Sequence, residues 1–446
     1  MSAAFGPSVA GFPALVALVA GLAVLIAATV LSRQGDVPYS AALVYLLLGA
    51  VLAVLLGAFD VEWIEPIDDA SAVQHVASAL IVLALFATGI RLDRELAWAE
   101  WASVTRLLVG AMPIVVVGTA ALSALLLDVS LGIAILLGSL LAPTDPVLAG
   151  EIGVGPPGEG REREERFAVT GEAGLNDGLA LVGVTLGLVL LDPGDGDLAS
   201  WFAVDVVYSL LAGLAIGLLV GRSAAWLAVR ARDREHLAPS LDPFVGIGSA
   251  FVLFGAAEAV AANGFIAVFV GALAFGRYER RHELNRGVFE GLERSERLGE
   301  LAAIVLLGSM LSLDGLLSIE WEGWLVALSV IFVLRPLSVL VSFIGSSRTP
   351  AERVFLAWFG VRGLASLYYA AAVAATGVLS EAHAALVWWT AVATVAVSIV
   401  VHGLTGTRGV DLVERAHRLG RRPSGAAGSA HRRDGGSPGV ETGRSG

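Results

Sequence analysis

The stretch "LAPTDPVLAG", Leu141 to Gly150, decides how this chain is read. It lies at the end of an apolar run of the length of a membrane helix. Within that run it places two prolines, a threonine and an ionisable aspartate. Proline removes a backbone donor and clashes with the preceding turn, so it breaks a helix. Inside lipid the freed backbone groups have no water to bond, so such a break must face protein or a water-filled cavity. Asp145 raises the same question in sharper form, because a carboxylate in the bilayer costs several kcal/mol and marks a functional position by default.

The surroundings support the membrane reading. The chain has 446 residues, 56% hydrophobic and only 16% charged, with mean hydropathy +0.77, whereas a soluble protein of this length carries more charge. Thirteen apolar runs are candidate spans, near 11–32, 40–58, 70–90, 105–127, 131–149, 167–191, 201–221, 244–260, 263–276, 299–313, 324–345, 353–376 and 384–405. They do not alternate as outer-membrane strands would. The expected fold is therefore an all-α polytopic membrane protein. The chain has no cysteine, which excludes disulfides, thiol catalysis and thiolate metal sites. All 29 basic residues are arginine against 41 acidic ones. The first run lacks a basic start and a small-residue cleavage site and is read as a span rather than a signal peptide.

Arginine sorts the connections into two sets. One carries Arg33; Arg91, Arg94 and Arg106; Arg161, Arg163 and Arg166; Arg222, Arg230, Arg232 and Arg234. It continues with the loop "RYERRHELNRGVFEGLERSER", with Arg348 and Arg353, and with the C-terminal tail. The other set, "DVEWIEPIDD", "DVS", "DPGDGD", "SLDGLLSIEWEG" and "GVLSEA", has none. By the positive-inside rule the first set is cytoplasmic, the N-terminus is outside and the C-terminus inside. Trp63, Trp201, Trp321 and Trp324 then fall at the outer boundary and Trp98, Trp101 and Trp226 at the inner one, as an aromatic belt does. Trp358, Trp388 and Trp389 lie within spans and read as packing residues. Residues 1–407 form the transmembrane domain. Residues 408–446, rich in Gly, Ser and Arg, read as a disordered cytoplasmic tail.

Few ionisable residues fall inside spans: Asp145, Glu172, Asp177, Arg335 and Arg362, with His75 as a weaker case and Glu258 as an interfacial carboxylate. Arg362 sits in "GVRGLAS", where Gly360 and Gly363 interrupt the twelfth span as "APTDP" interrupts the fifth. Two broken spans running in opposite directions are the sequence sign of an inverted repeat. Half-helix N-termini carry partial positive charge and C-termini partial negative charge, so Asp145 suits the first kind of end and Arg362 the second. The sixth span holds "GEAGLNDGLA". Glu172 and Asp177 lie about 140° apart around a helix and so face different partners. Arg335 in "FVLRPLSVL" is the natural counter-ion for Glu172, while Asn176 and Asp177 turn toward the break. A carboxylate facing a water-filled cavity can bind a hard cation or a proton, and competition between the two gives exchange if the protein alternates access. A rival reading is a cation channel or sensor on the same scaffold. No enzyme activity is expected. "GVGPPGEGREREE" lacks the Gly-Lys-Ser/Thr ending of a nucleotide loop.

"LAPTDPVLAG", "GEAGLNDGLA", "LRPL" and "WFGVRGLASLYYAAAV" together resemble the monovalent cation/proton antiporters, in particular prokaryotic sodium/proton antiporters with an Asn-Asp motif. The resemblance covers residues 70–405. It implies a thirteen-span homodimer in the cell membrane, with spans 4–6 and 11–13 as a moving core and spans 1–3 and 7–10 as scaffold. It implies that Asp177 carries Na+ or H+ with Asn176, Thr144 and Asp145 beside it, and that Glu172 and Arg335 form a buried pair. Asn before the aspartate implies electroneutral exchange, with K+/H+ antiport as the nearest alternative. The cargo is Na+ (or Li+ or K+) and H+. No soluble cofactor or nucleic acid is expected, and the partners are the bilayer and a second copy of the chain. Ala173 stands where many relatives have Ser, and residues 70–90 hold no carboxylate, so further cation ligands must come from backbone carbonyls, Thr144 or water.

Overall fold

The structure is a computed structural model. It describes residues 39–58, 67–145, 154–155, 163–192, 197–279 and 284–420, with isolated positions among 21–29. Most of the first expected span, Trp63, Pro146, most of the connection quoted as "GVGPPGEGREREE" and the tail from 421 onward lie outside these residues.

Every regular element among the described residues is helical. In chain order the main helices are α1 (Ala41–Ala58), α2 (Ala70–Arg91), α3 (Ala102–Leu126), α4 (Leu131–Leu141), α5 (Glu164–Leu191), α6 (Leu198–Asp233), α7 (Pro239–Glu258), α8 (Gly264–Glu279) and α9 (Leu284–Ser309). They continue with α10 (Glu320–Ser342), α11 (Pro350–Trp358), α12 (Leu364–Ala375) and α13 (Glu381–Gly420). Eight of these are long and apolar enough to cross a membrane, and α4, α8 and α12 are shorter apolar helices. This is a multi-pass membrane architecture.

Three boundaries differ from the sequence reading. The arginine-rich loop after Arg277 is helical from Leu284, because Leu284, Val288, Phe289, Leu292 and Glu296 form a buried face on α9 at helical spacing. The helix expected over 201–221 extends through Asp233, with Arg230 and Arg232 in its last turn, where they complement the helix dipole. The last helix carries the backbone through 408–420 into the segment read as tail. Two prolines leave a local signature as well. Pro113 and Pro336 are each preceded by a π-helical turn, Arg106–Ala111 and Val330–Leu334, where the missing N–H loosens the regular ladder.

The helices pack in two groups. α3, α4, α5 and α10 to α13 contact one another, as do α1, α2 and α6 to α9, and the seam between the groups is formed chiefly by α2 against α12, with α5 against α8 and α1 against α13. The arginine-bearing connections meet at one end. Arg106 donates to the Ser342 carbonyl at 2.8 Å, Arg277 to that of Arg94 at 2.6 Å and Arg353 to that of Ser346 at 2.8 Å.

Candidate ion-exchange site

Two helix interruptions cross at the middle of the first group. α4 stops at Leu141 and the chain runs through Ala142, Pro143, Thr144 and Asp145 without regular structure. α11 stops at Trp358 and the helix resumes at Leu364. The interruptions join directly, the Asp145 amide donating to the Val361 carbonyl at 2.8 Å. Buried backbone groups need partners, and charged side chains supply several of them at this crossing. Asp145 Oδ2 accepts from the Leu364 amide at 2.7 Å, at the N-terminus of α12. Arg362 donates to the carbonyls of Ala142 and Pro143, at 2.6 and 3.0 Å, at the C-terminus of α4. An anion thus sits at a positive helix end and a cation at a negative one. Gly363 is required by this approach, since a Cβ there would collide with the Asp145 carboxylate.

The rest of the second break is held by Ser398 and His402, which the sequence did not single out, and by Arg335. Ser398 Oγ accepts from the Arg362 amide at 2.8 Å. The His402 ring nitrogens lie 3.0 Å from the Trp358 carbonyl and 2.9 Å from that of Ser398. Arg335 reaches the Leu356 and Phe359 carbonyls at 3.3 and 3.4 Å. Its main contact is a two-pronged pair with Glu172, one bond of 2.7 Å and a shorter one, both residues almost fully buried.

α5 presents the remaining polar groups. Asn176 donates to Thr144 Oγ1 at 2.7 Å, tying α5 to the first break. Asp177 is fully buried (0% exposed), and neither of its carboxylate oxygens has a hydrogen-bond partner, nor has Asn176 Oδ1. Its backbone is fixed instead: Tyr369 on α12 donates to the Asp177 carbonyl at 2.5 Å, and Asn263 donates to that of Gly178 at 2.7 Å. The carboxylate is therefore held in place while its oxygens stay available. Among the described residues no group of three or more His, Asp or Glu could hold a metal. The open oxygens here are those of the Asp177 carboxylate and Asn176 Oδ1, with Thr144 Oγ1 on Asn176, and carboxylate, amide and hydroxyl oxygens are the kinds of ligand a hard cation takes.

The sequence-level candidates outside this cluster fall elsewhere. His75 is exposed and bonded within its own helix to the Ser71 carbonyl at 2.5 Å. Glu258 is exposed at the end of α7. Two charged clusters escaped the sequence reading. Arg91 pairs with Glu296 at 2.9 Å between α2 and α9, both buried. At the start of α5, Glu164 accepts from Arg94, from Ser103 at 2.8 Å and from Arg348 at 3.0 Å, while the Arg94 guanidinium lies 4.0 Å from the Phe167 ring centre. Their signal was weak because each residue reads as an ordinary charge near an arginine-rich connection.

Residues 18–410 match the family described as sodium/hydrogen exchanger, transmembrane. The chain belongs to this family. Relatives of the chain include a protein named Na(+)/H(+) antiporter 2 of Zygosaccharomyces rouxii, 24% identical over 357 residues, covering 73% of this chain and 42% of the relative. They also include one named K(+)/H(+) antiporter NhaP2 of Shewanella baltica (strain OS223), 22% identical over 208 residues, covering 46% of this chain and 35% of the relative. The chain therefore spans less than half the length of these relatives. Its fold matches that of the sodium proton antiporter MjNhaP1 from Methanocaldococcus jannaschii at pH 8, with TM-score 0.68 and 19% identity, over 88% of this chain and 97% of the other. A second structure of the same antiporter gives TM-score 0.70 and 18% identity, over 90% of this chain and 97% of the other.

Proposed function

We propose that the protein exchanges a monovalent cation, Na+ in the leading reading, for H+ across the cell membrane, and that Asp177 carries either one. The observation behind this reading is the Asp177 carboxylate, wholly buried with both oxygens unbonded beside the crossing of two broken helices. A charge left in that state is costly, and a proton or a cation removes the cost. Asn176, Thr144 and Asp145 stand beside it, with Asp145 chiefly compensating the α12 end and serving as a supporting ligand.

Counting charge gives the stoichiometry. Glu172 and Asp145 balance Arg335 and Arg362, which leaves Asp177 as the one uncompensated charge among these five. One H+ or one Na+ makes the group neutral, and a neutral group crosses the low-dielectric seam at least cost. The exchange is then one cation for one proton and electroneutral. Helices α3 to α5 and α10 to α13 form the moving core, the others the scaffold, and a homodimer is the working assembly. In this reading the chain crosses the membrane thirteen times, with the N-terminus outside and the C-terminus in the cytoplasm.

Relatives named for Na+ and for K+ both occur, so K+/H+ exchange is the second reading. Ala173 supplies no side-chain oxygen where many antiporters of this pattern have one, which leaves selectivity to Thr144, Asn176 and backbone carbonyls. The test is exchange in proteoliposomes against Na+, Li+ and K+ across pH, for the wild type and Asp177→Asn. Saturable exchange that needs no compensating ion flow, and that Asp177→Asn abolishes, is the expected result. A conductance that does not saturate would instead indicate a channel.

A further inference from the structure

A groove on the outer surface of the scaffold group is built for a different ligand. α6 and α8 touch backbone to backbone along Gly213, Gly217 and Gly221. A Cβ at Gly213 would lie 2.8 Å from the Asn263 carbonyl, one at Gly217 2.8 Å from that of Ala267, and one at Gly221 closer still to that of Gly271. Past Gly221 a groove of about 390 Å³ opens between the helices, lined by Leu218, Leu219, Arg222, Ser223, Trp226 and Tyr278.

Its depth follows from helix geometry. Trp201 and Trp226 are 25 residues apart on α6, about 38 Å at 1.5 Å per residue. That is slightly more than the ~30 Å hydrocarbon layer, and tryptophans favour its two boundaries. Arg222 lies one turn inside Trp226, at the edge of the hydrocarbon, on the arginine-bearing side of the molecule. Leu218 and Leu219 beside it are 50% and 70% exposed, facing the acyl region.

Arg222 is exposed, and its guanidinium carbon lies 5.0 Å from the centre of the Tyr278 ring. Among the described residues no carboxylate lines the groove. Arg230 lies over Trp226 at 5.4 Å, which puts a second cation beside the groove. An arginine at the hydrocarbon edge without a carboxylate partner takes a phosphate well, since its planar fork matches phosphate oxygens. Ser223 alongside is small and donates its own hydroxyl to the Leu219 carbonyl at 2.7 Å, so the headgroup contact falls to Arg222.

We propose that this groove binds the phosphate of an anionic phospholipid, with Arg222 on the headgroup, Trp226 and Tyr278 at the glycerol level and the acyl chains along Leu218 and Leu219.

The full chain, purified in detergent, is mixed with micelles containing phosphatidylglycerol or phosphatidylcholine, and retained lipid is read by native mass spectrometry. The wild type is expected to retain phosphatidylglycerol over phosphatidylcholine, whose ammonium offsets its phosphate. Arg222→Gln is expected to weaken phosphatidylglycerol retention about fivefold, the worth of one arginine at an anionic surface, and Arg222→Lys to recover most of it. Ser223→Glu, at an exposed position, brings a carboxylate into the groove and is expected to weaken retention comparably, so the proposal does not depend on one variant folding. Inorganic phosphate is expected not to displace the lipid. Equal retention of both lipids, unchanged retention in Arg222→Gln and Ser223→Glu, displacement by inorganic phosphate, or a face covered by a second copy and empty of lipid would each overturn the proposal.

Discussion

At the scale of single residues, the site rests on how five buried charges are partnered. Glu172 and Arg335 are nearly inaccessible and bonded to each other. Removing one partner leaves the other charged and dry. Glu172→Gln is expected to destabilise the protein by about 3–5 kcal/mol, read as a lower thermal transition in detergent. Glu172→Gln combined with Arg335→Met is expected to recover part of that loss, which a cycle of the single and double variants measures. Gly363→Ala pushes a methyl into Asp145, and a displacement on the order of 1 Å is enough to lower exchange by about a hundredfold. The five charges stand out in the sequence because few ionisable residues fall inside its apolar runs. Ser398, His402, Asn263 and Tyr369 do not stand out. A hydroxyl, an amide or an imidazole in an apolar helix is common, and only the three-dimensional crossing shows which carbonyl or amide each one serves.

At the scale of the helix, the prolines and glycines of "LAPTDPVLAG" and "GVRGLAS" mark the breaks in the sequence, since no unbroken apolar span needs them. The partners of the broken ends depend on the register between segments more than two hundred residues apart, which one sequence does not contain. Asp145→Asn keeps a side-chain oxygen for the Leu364 amide but removes the charge at the helix end, so a loss of about 1–2 kcal/mol is expected. Arg362→Met strips the Ala142 and Pro143 carbonyls of their donor. Each buried unsatisfied acceptor costs about 1–3 kcal/mol, so this variant is expected to show the larger drop in thermal stability. The reverse order would contradict the roles assigned to the two ends. The start of α9 was hidden for a different reason. Its charged outer face outweighs the buried stripe of Leu284, Val288 and Leu292 in a simple hydropathy reading.

For the whole molecule, the all-helical multi-pass architecture was readable from the length and spacing of apolar runs, and the match to a solved antiporter fold agrees with it. The contacts that lock the two helix groups together were not readable. At the arginine-bearing end Glu164 on α5 holds Ser103 and Arg348 of its own group and also Arg94, whose carbonyl accepts from Arg277 of α8 in the other group at 2.6 Å. If the core moves against the scaffold, this latch opposes the motion that opens that end. The chain has no cysteine, so Ala303→Cys, placed in the small cavity beside Asp145, gives a clean reporter. Its reaction with a maleimide is expected to speed up several-fold when combined with Glu164→Gln, and an unchanged rate would count against the latch.

The central claim is that one carboxylate holds either a proton or a cation and never both. The most direct measurement is proton release on cation binding, with purified protein in weakly buffered detergent solution titrated with Na+. The account predicts about one proton released per Na+ bound at saturation, and no release from Asp177→Asn. Na+ binding without proton release, or the same release from Asp177→Asn, would contradict it.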